Sequence, residues 1–156
     1  MRTCICSPCG ILGYGFPQES FRRALAEKPD AIVVDAGSTD AGPHKLGAGV
    51  AIVSRMAAKK DLRLLMQGAQ ELDIPLVIGS AGGSGARTHT EWTLSIIREV
   101  CAEMDWHPKT AVIWADISNE VILDAMAQGR IEKMSENVPD LTPETLAQTN
   151  GVVAQM

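Results

Sequence analysis

The feature that most constrains the fold is a series of short apolar runs, each ending in a polar loop. These runs span residues 31–34, 75–78 and 111–114. Because such a run is apolar on both faces, it is typical of a strand buried in a parallel sheet. Amphipathic stretches separate the runs. This alternation predicts an α/β fold: a three-layer parallel sheet, Rossmann-like or flavodoxin-like, with helices on both faces.

Other signals place the remaining elements. Residues 2–6 are predicted to form a short first strand and residues 17–27 a helix. Apolar residues at helical spacing predict a helix that begins after Ser54. Residues 88–91 have the S/T-x-x-E form of a capping box, which predicts a helix over residues 88–104.

Two more helices are predicted near the end of the chain. Ser118 is a suitable N-cap for a helix that stops at Gly129. Thr142 is followed by Pro143, and proline is favoured in the first position of a helix.

The bulk composition fits a single domain over residues 1–156 and excludes several classes of protein. Of the 156 residues, 46% are apolar and 21% are charged, which suffices for one core. The net charge is −5 and no basic stripe is present, so we expect no nucleic-acid partner. No apolar run approaches the roughly 18–20 residues that span a bilayer, and no signal-peptide pattern is visible. We therefore expect a cytoplasmic protein with no membrane partner.

The first candidate site is the polar loop that follows residues 31–34 and extends to about Gly49. It holds two carboxylates and two hydroxyls within a few residues, namely Asp35, Ser38, Thr39 and Asp40. Carboxylates there can act as general acid or base, or can hold a divalent cation such as Mg²⁺. Hydroxyls can bind the substrate. The alternative is a strand end in which a carboxylate caps a turn.

The second candidate site is the glycine-rich turn after residues 75–78. Its members are Ser80, Gly82, Gly83, Ser84 and Gly85. Backbone N–H groups in such a turn, together with the helix that follows, favour an anionic ligand. The turn matches neither the dinucleotide fingerprint nor the Walker A motif. The alternative is a tight turn that lets the helix pack closely on the sheet.

Two further side chains are candidates for the same site. His89 lies in the first predicted turn of the helix and could act as acid or base, although a lone histidine is more often an ordinary polar residue. Asp116 ends the third apolar run. Ligands of open α/β sheets bind at the carboxyl ends of the strands. We therefore predict Asp35, Asp40, His89 and Asp116 as the catalytic group.

Two other kinds of chemistry receive less support. The Gly-x-Ser-x-Gly and H-E-x-x-H patterns are absent, so the sequence does not support a serine nucleophile or that zinc site. Cys4, Cys6 and Cys9 form C-x-C-x-x-C, which could hold a metal or supply a redox-active thiol at Cys9. A fourth ligand at matching spacing is missing, and Cys4 and Cys6 alternate as strand residues do.

Four ordered segments resemble the acyclic terpene utilisation AtuA family, whose members are often described as methylaspartate ammonia-lyase-like. They are ILGYGFP (11–17), DAGSTDAGP (35–43), IGSAGGSG (78–85) and HTEWT (89–93). The family's His-Ala-Asp reads Trp114-Ala115-Asp116 here, which keeps only the aspartate. Family members are much longer, so the chain is similar to their N-terminal portion.

The resemblance implies an enzyme or enzyme subunit that acts on a small anionic carboxylate or an acyl-CoA. The implied chemistry is of the lyase or hydratase type, in catabolism. The short length suggests an alternative: a non-catalytic binding subunit, or an incomplete fragment that needs a partner chain to complete the site. We accordingly expect a homo-oligomer or a complex with a second subunit.

Overall fold

Three short parallel strands form the sheet of the computed structural model, which describes residues 2–37 and 42–154. They are β1 (Ile5–Cys6), β2 (Ala31–Asp35) and β3 (Leu76–Gly79), hydrogen-bonded in the order β1-β2-β3. The sequence prediction of an α/β fold with a parallel sheet is thereby confirmed.

Six α-helices and one short 3-10 helix (Ala81–Gly83) accompany the sheet within the described residues. The α-helices are α1 (Gln18–Ala26), α2 (Gly42–Ala48), α3 (Arg55–Leu72), α4 (Arg87–Met104), α5 (Asn119–Ala127) and α6 (Pro143–Gln148). The predicted starts after Ser54, Ser118 and Thr142 are confirmed, because each of these side chains accepts a hydrogen bond from an amide of its helix. None of the described helices is long and apolar enough to cross a bilayer.

The core lies on one face of the sheet. Ile32 and Val34 of β2 are buried there against residues of α1, α3 and α4. Side chains alternate along a strand, so Ala31 and Val33 point to the opposite face. Their partners on the neighbouring strands, Ile5 and Val77, point to that face as well. Ile5 is 58% exposed and Val77 is 49% exposed. Helices on both faces of the sheet are therefore not confirmed.

The predicted strand at residues 111–114 is wrong. Its residues make no ladder with β3, and Ile113 is 92% exposed. The end of this segment is instead tied elsewhere: the Ala115 N–H donates to the Gly85 carbonyl, and Asp116 forms an isolated antiparallel bridge with Val153. An apolar run resembles a buried strand in sequence, but it becomes one only where a neighbouring strand pairs with it.

A ladder of ion pairs joins the exposed sides of α3 and α4. Lys59 lies between Glu99 and Glu103, while Arg55 pairs with Glu99 and Arg63 with Glu103. The Lys59 ammonium donates to both carboxylates, which lowers the pKa of Glu103 and of Glu99 and raises the pKa of Lys59. These charges therefore stabilise the contact between the two helices at neutral pH.

The ladder predicts a specific loss of stability in acid. A carboxyl whose folded pKa is lowered stabilises the fold above its unfolded pKa, and this contribution disappears as the pH falls through the folded value. We expect the melting temperature of the Glu99→Gln/Glu103→Gln variant to fall less than that of the wild type between about pH 7 and about pH 3. Thermal melts followed by circular dichroism measure this difference. Equal decreases in the two proteins would contradict the account.

Candidate functional site

Two side chains predicted for the site meet where β2 and β3 end. Asp35 pairs with Gly79 across the sheet, and the Asp35 Oδ1 atom accepts a hydrogen bond of 2.8 Å from the Gly37 N–H. A Cβ built on Gly37 would lie 3.0 Å from Ser80 Oγ and 3.2 Å from Asp35 Oδ1. The exposed carboxylate and the exposed hydroxyl thus face the same small space above Gly37.

The backbone turns sharply after β3. Ser80 has a φ of 46°, in the left-handed region that residues with a Cβ rarely occupy, and Gly82, Gly83 and Gly85 also have positive φ. Such strain outside glycine is concentrated at functional sites. The Ser80 backbone therefore marks this strand end as a site of interest.

The amides of the glycine-rich turn bond within the turn itself. The Gly83 N–H donates to the Ser80 carbonyl at 2.8 Å, and the N–H groups of Ser84 and Gly85 both donate to the Ala81 carbonyl. An amide that serves a local carbonyl is not directed at a ligand. Within the predicted anion cradle, the N–H groups of residues 83–85 thus have the geometry of a closed turn, as in the alternative interpretation.

The carboxylate of Asp116 occupies the start of α4. The Arg87 N–H donates to both Asp116 oxygens, at 3.0 and 2.8 Å. The predicted capping box at residues 88–91 is wrong, because α4 begins one residue earlier and its N-cap, Ala86, has no side chain to accept a bond. A carboxylate distant in sequence performs that role, since negative charge is favourable at a helix N-terminus.

Arg87, the first residue of α4, follows the glycine-rich turn. Its guanidinium stacks on the Trp114 ring, 4.2 Å from the ring centroid. Arg87 itself is exposed. A stacked guanidinium keeps its planar donors available for a carboxylate, so Arg87 is a cationic group at the start of α4.

His89 is buried beneath the turn, with 1% of its surface exposed. Its Nε2 atom lies 2.9 Å from the Val50 carbonyl oxygen, and its Nδ1 atom lies 2.8 Å from Ser84 Oγ. A carbonyl can only accept, so Nε2 carries a proton, and with no second proton on the ring Nδ1 accepts from the Ser84 hydroxyl. The structure thus pairs two predicted site residues, Ser84 and His89.

The predicted residues fall into three groups. Asp35 lies with Ser80, Ser84 with His89, and Asp116 with the first amide of α4. The glycine-rich turn lies between these groups and folds back on itself: a Cβ built on Gly85, near its end, would lie 3.7 Å from the Cα atom of Ser80 at its start. Ser38, Thr39 and Asp40 lie outside the described residues, so their predicted roles stay predictions.

A buried carboxylate that sequence reasoning missed supports the first loop. Asp61 of α3 is 1% exposed, and its Oδ2 atom accepts hydrogen bonds of 2.8 and 2.9 Å from the N–H groups of Gly13 and Gly15. Charged residues flank it in sequence, which is a pattern typical of a solvent-exposed helix face. The burial of Asp61 could have been inferred from helical spacing. Asp61 precedes Leu64 by three residues and Leu65 by four, so it lies on an otherwise apolar face of the helix.

The cysteines of the C-x-C-x-x-C motif lie in different environments. Cys4 is exposed and Cys6 is buried. Burial, and then the nearby Asp61 carboxylate, raise the pKa of the Cys9 thiol, which disfavours the reactive thiolate. Within residues 2–37 and 42–154, no three His, Cys, Asp or Glu side chains are grouped so as to hold a metal ion.

No protein family, curated protein or solved structure matches the chain. The resemblance to the AtuA family therefore stays a prediction.

The packing of the turn on His89 predicts the effect of one substitution. A Cβ on Gly82 would overlap the backbone carbonyl of His89, whereas a Cβ on Gly15 meets nothing within 4 Å. Both glycines have positive φ. We expect Gly82→Ala to lower the free energy of unfolding by at least about 3 kcal/mol, and Gly15→Ala by only about 1 kcal/mol.

Urea denaturation of the two variants and the wild type measures these free energies. Because the backbone conformation is left-handed at both positions, Gly15→Ala controls for strain alone. Equal losses of stability would show that the turn does not close on His89.

Proposed function

We propose that the chain is an enzyme or enzyme subunit of the AtuA type, acting in the cytoplasm on a small anionic carboxylate or an acyl-CoA by lyase- or hydratase-type chemistry. The observation that carries the proposal is the meeting of Asp35 and Ser80 above Gly37, where two parallel strands end. Ligands of open α/β sheets bind at this edge.

Asp35 is the proposed general base. Its carboxylate is exposed and its Oδ1 atom accepts only one neighbouring amide among the described hydrogen bonds, so lone pairs are available to take a proton. The group to be deprotonated is a water molecule, or the carbon next to the substrate carbonyl. The Ser80 hydroxyl is placed to bind the same substrate.

Asp40, Ser38 and Thr39 are proposed to complete the site from the loop after Asp35. Two carboxylates five residues apart would suit a divalent cation such as Mg²⁺, which would polarise the substrate carboxylate or carbonyl. His89 and Asp116 act in this proposal as supports of the turn and of α4, in accordance with the bonds they make.

Recognition of the substrate's negative charge is assigned to Arg87. The amides of Gly83, Ser84 and Gly85 bond to carbonyls within the turn, which supports moving this role away from them. Stacking on Trp114 reduces the freedom of the guanidinium before a carboxylate binds.

A second candidate function is that of a binding subunit that needs a partner chain. The specific observation is the exposed apolar surface at Ile5, Val77 and Ile113. A groove of about 490 Å³ between α4 and residues 106–112 adds to it, lined by Leu94, Ile97, Cys101, Trp106 and Val112. In the three-layer fold that we propose for the complete assembly, a partner would cover the face opposite the core. Turnover by the purified chain alone would contradict this function.

The enzyme proposal predicts that Asp35→Asn lowers kcat by at least about 100-fold, because the amide cannot take a proton. The substrates to test are branched 2,3-enoyl-CoA thioesters and the corresponding free acids, with addition of water followed by mass spectrometry. Since the asparagine oxygen can still accept from Gly37, we expect the melting temperature to stay within a few degrees of the wild type.

The matched control is Asp105→Asn, which removes a fully exposed carboxylate at the opposite end of α4 and should leave kcat unchanged. Wild-type turnover by Asp35→Asn would exclude Asp35 as the base. If the wild type consumes neither class of substrate, the proposed substrate class is wrong.

A further inference from the structure

The hydrogen bond between Ser84 and His89 joins a hydroxyl to an imidazole whose tautomer a third group sets. The Val50 carbonyl accepts from Nε2, which leaves Nδ1, 2.8 Å from Ser84 Oγ, as the nitrogen that can take the hydroxyl proton. A hydroxyl that donates to a histidine, whose other nitrogen is oriented by a third group, has the geometry of an activated nucleophile. Here the orienting group is a backbone carbonyl.

Two features stabilise negative charge on Ser84 Oγ. The Ala86 N–H donates to this oxygen at 3.2 Å, and a hydrogen bond to the charged form of a group favours that form. Ser84 also lies three residues before the start of α4, whose partial positive charge it shares with the Asp116 carboxylate. Ser84 is half-buried, whereas His89 is buried, so the hydroxyl lies between solvent and its base.

We infer that Ser84 and His89 form a nucleophile–base pair that cleaves acyl esters or thioesters. Ser84 Oγ attacks the acyl carbon while its proton passes to His89 Nδ1. The bond from the acyl carbon to the thiol sulfur or alcohol oxygen breaks, and the leaving group takes that proton. Water then attacks the acyl-serine, His89 accepts its proton and returns it to Ser84 Oγ, and a carboxylic acid is released.

This inference goes beyond the proposed function and does not depend on Asp35. It also revises a conclusion from the sequence, where the absence of Gly-x-Ser-x-Gly left a serine nucleophile unsupported. Here the serine and the histidine, Ser84 and His89, lie five residues apart on either side of the start of α4. Only the folded turn brings the two side chains together.

A fluorophosphonate probe tests the pair directly, because it reacts with activated serine hydroxyls by losing fluoride. We expect the native wild-type protein to be modified at Ser84, mapped by peptide mass spectrometry, at least about 100-fold faster than the same protein unfolded in guanidinium chloride. A purely structural hydrogen bond would leave the two rates similar.

Variants and contrary outcomes complete the test. Ser84→Ala should abolish the modification, whereas Ser20→Ala, which removes an exposed serine on α1 whose hydroxyl accepts from Arg23, should not change it. Mapping on the wild type needs no variant to fold. Modification at another serine, or reaction of Ser84 no faster than in the unfolded chain, would overturn the inference. Labelling of Ser84 does not require the hydratase or lyase activity proposed for Asp35, so the two proposals can fail independently.

Discussion

The buried imidazole of His89 is the interaction on which the arrangement of the site depends. It joins three parts of the chain: the segment before α3 through the Val50 carbonyl, the glycine-rich turn through Ser84, and α4, to which it belongs. A buried polar ring is costly unless both nitrogens are paired, and here both are. Gly82 is required because a Cβ there would overlap the backbone carbonyl of His89.

The order of the strands explains why the core lies on one face. Successive parallel strands that add in the same direction place their crossover helices on the same side of a sheet, because these crossovers share one handedness. Helices α1, α3 and α4 accordingly share a core with Ile32 and Val34. A second layer of helices would require the chain to reverse direction along the sheet. The described strands contain no such reversal, which leaves Ile5 and Val77 exposed.

Local patterns were sufficient to predict much of this fold. The helical spacing of Leu62, Leu65 and Met66 predicts α3, and the apolar run at residues 31–34 predicts β2. Helix α2 was not predicted, because its sequence of glycines, proline and a histidine has low helix propensity and reads as a loop. Residues 111–114 were assigned to a strand, since sequence does not reveal whether a pairing strand is present.

The candidate site was only partly predictable, for a related reason. Asp35 and Ser80 follow neighbouring apolar runs, and the ends of parallel strands meet at one edge of a sheet, so their proximity is accessible to sequence reasoning. The capping of α4 by Asp116 and the burial of Asp61 depend on contacts 29 and 46 to 48 residues apart in sequence. No local pattern encodes such contacts. The same holds for the pairing of His89 with the Val50 carbonyl.

The protonation of His89 tests the central claim most directly. Nitrogen-15 NMR of the imidazole at neutral pH distinguishes the two neutral tautomers and the charged ring. The account predicts that the ring carries its proton on Nε2, and that the hydrogen bond at Nδ1 is lost in Ser84→Ala. A neutral ring with its proton on Nδ1 instead would contradict it.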